Sequence, residues 1–206
     1  VNEKLEQILR QSAAVFMRYG IKSVTMDDIC RELGISKKTL YQFVEDKADL
    51  ISKVLNHDIK EEEEAISAIV NSKLTALEEL HRIQGMVTQK VRNMHSSIIY
   101  DLRKYYPEAW NRVMQHRNDF VVGCIEQNIR KGQAEGVFRT DIHPAVIARI
   151  YSSRIEVIID SSLFADLNLS TAEIYVEAVH YHIRGIATEK GLRLLETIEN
   201  QSQTKS

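Results

Sequence analysis

Between Ser36 and Lys47 the chain sets Lys37, Lys38, Thr39, Tyr41 and Gln42 around a single apolar residue, Leu40. Ammonium and hydroxyl groups neutralise and hydrogen-bond phosphate oxygens. A glutamine amide pairs bidentately with adenine, and a threonine meets a thymine methyl or a base-edge donor or acceptor. Gln42 and Thr39 therefore suit base edges, whereas Tyr41 suits a phosphate. No comparable constellation for catalysis occurs. The seven histidines include His180 and His182, which two-residue spacing on a helix sends to different sides. There is no HExxH, nucleophile elbow, phosphate-cradling glycine loop or paired-cysteine motif, so no enzyme activity, metal or cofactor is expected. Four consecutive carboxylates, Glu61 to Glu64, point around a helical cylinder and are expected to face solvent.

The elements that position the polar stretch are legible on either side of it. A short amphipathic helix with Ile29 and Leu33 inward stops at Gly34, the residue that best tolerates the left-handed turn after a helix. Ser36 then caps a second helix, Ile35 fills the corner, and Leu40 packs back toward Ile29. This is the arithmetic of a helix-turn-helix, with Lys37 to Gln42 on the face laid in a major groove. Thr25, capping the preceding helix, and Lys47, opening the following one, are expected to grip the phosphate backbone from either side. The alternative is a solvated polar face, or a helical module that uses this face for protein contact.

The whole chain reads as all-α, with about nine helices near 3–19, 26–33, 37–43, 47–71, 74–94, 97–105, 107–135, 143–163 and 171–195. Pro107 and Pro144 stand where helices begin, the position at which a missing N–H costs nothing. Thr25 with Asp28, and Ser170 with Glu173, have capping-box spacing. Cys30 and Cys124 sit among apolar neighbours and are expected to be buried thiols. The opening Val1-Asn2-Glu3-Lys4 is not a charged-then-apolar leader, and no apolar run suffices to span a bilayer, so a cytoplasmic protein without membrane contact is expected. A formal charge of -2 and a pI of about 6.4 argue against binding nucleic acid with the whole surface. Residues 1–60 hold ten Lys or Arg against nine Asp or Glu, so placement of Lys37, Lys38 and Lys47 matters more than the sum.

Residues 5 to 55 resemble the N-terminal domain of the TetR family of regulators, with Phe16, Tyr19-Gly20, Thr25, Ile29, Gly34-Ile35-Ser36, Thr39-Leu40-Tyr41 and Lys47 all coinciding with its pattern. Two positions depart from it: Val44 replaces a frequent aromatic, and Lys38 a frequent small residue. The resemblance implies a helix-turn-helix head at 1–47, a helical effector-binding and dimerisation body at 48–199, and a polar tail at 200–206. It further implies a repressor that binds a palindromic operator as a homodimer, paired through helices about 143–163 and 171–195, and released by a small-molecule effector of unknown identity. An activator with the same head would bind DNA identically. Those apolar helix faces could equally pack within one chain. The middle of the body carries no chemically meaningful motif. Met86, Met94, Tyr100, Tyr105, Trp110, Phe120 and Tyr151 are offered as walls of an effector cavity, with His81, Arg92, His95 or His116 as polar partners.

Overall fold

The computed structural model describes residues 3–159 and 163–203, which are helical almost throughout, with one isolated backbone bridge and no strand among them. The helices are α1 (Glu3–Tyr19), α2 (Met26–Leu33), α3 (Lys37–Leu40), α4 (Lys47–Val70), α5 (Ala76–Asn93), α6 (Ile98–Tyr105), α7 (Pro107–His116), α8 (Val122–Ala134), α9 (Pro144–Ile159), α10 (Thr171–Ile186) and α11 (Glu189–Gln203). A π-turn at Arg117–Val121 joins α7 to α8, so the single helix expected over 107–135 has an irregular middle. Both prolines open helices, as their missing donors favour.

The last long helix expected, 171–195, is two. Arg139 N donates to Ile186 O and Thr188 N to Val137 O, so the 137–139 segment takes over backbone groups that a continuous helix would have paired internally. The Thr188 hydroxyl then accepts from Gly191 N and starts α11. α11 runs on to Gln203, where the sequence suggested a frayed tail from residue 200; residues 204–206 lie outside the described residues, as do 160–162 of the expected 143–163 helix.

The chain forms two compact units. One comprises Val1–Glu64 and Asn93–His116, the other Ala65–Arg92 and Arg117–Ser206. In the first, Ile8, Phe16, Ile29, Leu40, Val44, Leu50 and Ile51 form the core with Ile98 and Leu102 of α6. Each such side chain, fully buried, contributes roughly 1.5–3 kcal/mol. In the second, Leu77, Ile129, Phe138, Val179 and Ile183 form the core. Close approach is built in there: a Cβ on Gly132 would lie 1.9 Å from the Phe138 ring. Cys30 is buried as expected, while Cys124 is only partly so.

Candidate nucleic-acid interface

The first unit positions the polar stretch through short-range hydrogen bonds. Thr25 caps α2 in a complete capping box: its hydroxyl accepts from Asp28 N, and its own N–H and O–H both donate to Asp28 Oδ2, at 2.9 and 2.6 Å. The threonine hydroxyl holds the Asp28 carboxyl below the usual carboxylate range. α2 ends at Gly34, whose φ of 64° is the left-handed turn its position called for. Ser36 caps α3, accepting from Thr39 N at 3.1 Å, and its hydroxyl lies 2.9 Å from that of Thr39. Leu40, wholly buried, anchors α3 to the core.

α3 is shorter than the expected 37–43. After Leu40, the bonds from Gln42 N to Thr39 O and Phe43 N to Leu40 O tighten the chain into turns. Tyr41 and Gln42 therefore sit just past the regular helix. Lys38, Tyr41 and Gln42 are exposed, and among the described residues their side chains make no hydrogen bond or ion pair. Lys37 is committed differently: its ammonium lies 2.8 Å from Asp27 of α2, which raises its pKa. The pair is more than half exposed, so exchanging Asp27 for a phosphate costs little.

The two flanking groups are also engaged. Thr25 has spent its donors on Asp28, so meeting a phosphate requires an exchange. The Lys47 ammonium, half-buried and with a pKa lowered by that burial, donates to Lys22 O at 3.3 Å. Lys22 and its neighbour Ile21 are held in turn by Asp101 of α6, whose buried Oδ2 accepts from Ile21 N, Lys22 N and the Ser97 hydroxyl. Sequence reasoning missed this brace. Only the triplet Ile21-Lys22-Ser23 ahead of the Thr25 cap hinted at a fixed turn, and nothing local named a partner 80 residues away.

The acidic run faces solvent at Glu61 and Glu64, as expected, and also takes cationic partners. Arg10 holds Glu61 at 2.7 Å, and His116 lies 3.1 Å from Glu63 and 3.5 Å from Glu62. The Glu62 hydrogen bond is the main cause that raises the His116 pKa. His57, Asp58 and Glu61 bring ligand atoms within 4.8 Å of one another, with Glu61 already taken by Arg10.

The seven suggested cavity residues fall in both units. Met94 and Trp110 pack against the core of the first, and Tyr100 and Tyr105 stand exposed on α6. Met86, Phe120 and Tyr151 belong to the second unit, where Tyr151 packs on its core. The structure places Arg154 and His182 beside Tyr151, with the guanidinium 4.1 Å and the imidazole centroid 4.0 Å from its ring. Arg154 also donates to Ala178 O.

With this geometry in hand, the family model of bacterial regulatory proteins of the tetR family matches residues 8–54, the span from α1 into α4 that carries both helices of the motif. Residues 8–54 thus form a helix-turn-helix domain of the TetR type. YvaF, an HTH-type transcriptional regulator of Bacillus subtilis, is 22% identical over 90% of this chain and 96% of its own. The HTH-type transcriptional repressor KstR2 of Mycobacterium tuberculosis is 23% identical over 72% of this chain and 76% of its own. The all-α fold of the whole chain is shared with a TetR-family transcriptional regulator from Agrobacterium tumefaciens, at a TM-score of 0.72 and 17% identity, covering 90% of this chain and 98% of that one. It is thus a TetR-type transcriptional regulator with a helix-turn-helix DNA-binding head. Among the described residues no helix is long and apolar enough to cross a membrane.

Proposed function

We propose that this TetR-family regulator is a cytoplasmic repressor that binds a palindromic operator as a homodimer and releases it on binding a small-molecule effector. DNA binding resides in residues 1–47, and effector binding and dimerisation in 48–199. The observation that carries the reading is the row of exposed polar groups at Lys38, Tyr41 and Gln42, unpaired among the described residues and held by the fully buried Leu40. Lys38 and Tyr41 meet phosphates and Gln42 reads a base edge. Thr39 lies at the same surface, its hydroxyl beside that of Ser36, while Lys37 and Thr25 exchange aspartate partners for backbone phosphates. The KstR2 relative, named a repressor, supports that sign of regulation.

Pairing of two chains is supported by α9, where Val146, Ile150 and Val157 are about half exposed and recur on one helical face, and by Tyr181 of α10, 79% exposed. One reading helix contacts too little DNA for high specificity, so a two-fold pair matching half-sites about 34 Å apart is the economical solution. An effector in the second unit, bounded by residues such as Tyr151, Phe120 and Met86, acts through α4, the helix whose chain continues from one unit into the other.

Selection of bound duplexes from a random pool tests this directly. The expected outcome is a palindrome with half-site centres one helical turn apart, and an Ile150→Asp variant that is monomeric and selects nothing above background. A non-palindromic consensus, or no enrichment with the wild-type chain, contradicts it.

A further inference from the structure

α6 carries a feature that the helix-turn-helix does not explain. Lys22 Nζ donates to the Tyr105 hydroxyl at 2.9 Å and lies 4.8 Å from the centre of its ring. Lys104 Nζ donates to the Tyr100 hydroxyl at 2.7 Å and lies 5.5 Å from the Tyr105 ring. The two tyrosines meet edge to face at 6.4 Å, and all four side chains are exposed. Each phenol hydrogen bond raises the pKa of its lysine, so both groups are held as ammonium ions at neutral pH. Among the described residues neither has a carboxylate within ion-pair distance. Two fixed surface ammonium groups without a carboxylate partner gain Coulomb energy against an external anion.

The position names the anion. The backbone carbonyl of Lys22 receives the Lys47 ammonium, and Lys22 precedes the Thr25 cap by three residues, with Asp101 holding the Ile21 and Lys22 amides. The lysine–tyrosine cluster is therefore continuous with the proposed phosphate-gripping edge of the head. We propose that Lys22 and Lys104, set by Tyr105 and Tyr100, form a second phosphate-binding strip that engages the duplex backbone outside the segment read by α3. This extends the DNA-binding reading above and rests on it. The strip adds affinity and orientation without sequence information, because phosphates are the same in every sequence.

The test uses the full-length chain and two duplexes: the selected operator core, and the same core extended by about one helical turn at each end. Affinities are measured across a salt series for the wild type, Lys22→Ala/Lys104→Ala, Lys104→Ala alone and Lys38→Ala. On the extended duplex the double variant is expected to lower the dimer's log–log salt slope by about two for each lysine, one per head, with a smaller change on the trimmed duplex. Lys104→Ala, an exposed change on a helix surface, should lower it by about two and guards against misfolding of the turn at Lys22. If Lys38→Ala lowers the slope while the double variant leaves it unchanged on the extended duplex, the strip is overturned and the head reading stands. If the wild-type chain binds neither duplex, both fall. A thermal shift with inorganic phosphate separates a free-anion site: stabilisation lost in the double variant, with an unchanged duplex slope, also overturns the proposal.

Discussion

The helix-turn-helix stretch of the first unit, residues 25–53, and the core of the second unit close many of their polar groups over different distances along the chain. In the first, Thr25 with Asp28, Ser36 with Thr39, Asp46 with Asp49 and Asp49 with Lys53 all pair within four residues. In the second, Lys131 reaches Glu79, Asn128 reaches Ala76 O, Thr188 reaches Val137 O and Arg154 reaches Ala178 O, each across tens of residues. A head built from local caps keeps its reading surface wherever those few residues occur. A body built from distant pairings depends on segments far apart in the chain folding together.

Leu40→Ala cuts most deeply into that difference. Removing a fully buried leucine should cost the first unit about 2–5 kcal/mol. The lone tryptophan, Trp110, packs on that unit's core, so its fluorescence in a urea titration reports the loss, while hydrogen exchange of α10 amides should stay protected. Equal loss in both would mean the units are not separate. Gly132→Ala is the mirror experiment. The added methyl meets the Phe138 ring, and overpacking of about 1–3 kcal/mol should appear in α10 exchange with the Trp110 transition in place.

Acidification separates the units more gently. Burial, helped by the Arg154 charge, pushes His182 down to about 3, so its neutral form contributes stability that is present above pH 6.5 and lost as pH falls toward 3. Between pH 7 and 5 the second unit should lose about 1–2 kcal/mol, and His182→Gln should flatten that dependence. His116 has the opposite sign. Its raised pKa makes its contribution complete below 6.5 and lost as pH rises through the folded value, so the first unit should hold or gain on acidification. Parallel urea series at pH 5 and 7 check both directions.

The same contrast explains what could be read from residues alone. α1 and α2 begin and end where periodicity and caps place them, and Gly34, Ser36 and Leu40 take the expected roles. Those signals are local, and the local terms win. The break at Ala187-Thr188 was invisible, because the competing partner is the 137–139 segment. Asp101 was invisible for the same reason, its acceptor oxygen serving a turn 80 residues earlier. In the contact surface, the residue types were legible but their engagements were not. Spacing says that Lys37 and Lys38 are adjacent, whereas only the fold shows one paired with Asp27 and the other without a partner among the described residues.

That last distinction gives the most direct measurement: operator affinity against salt for Lys38→Ala and Gln42→Ala. Lys38→Ala should reduce the log–log slope by about two, one per head, and weaken all duplexes alike. Gln42→Ala should keep the slope and cost about 1–3 kcal/mol on the selected sequence, relaxing preference at one base position per half-site. Unchanged affinity, slope and preference in both variants would contradict the claim that this face meets DNA.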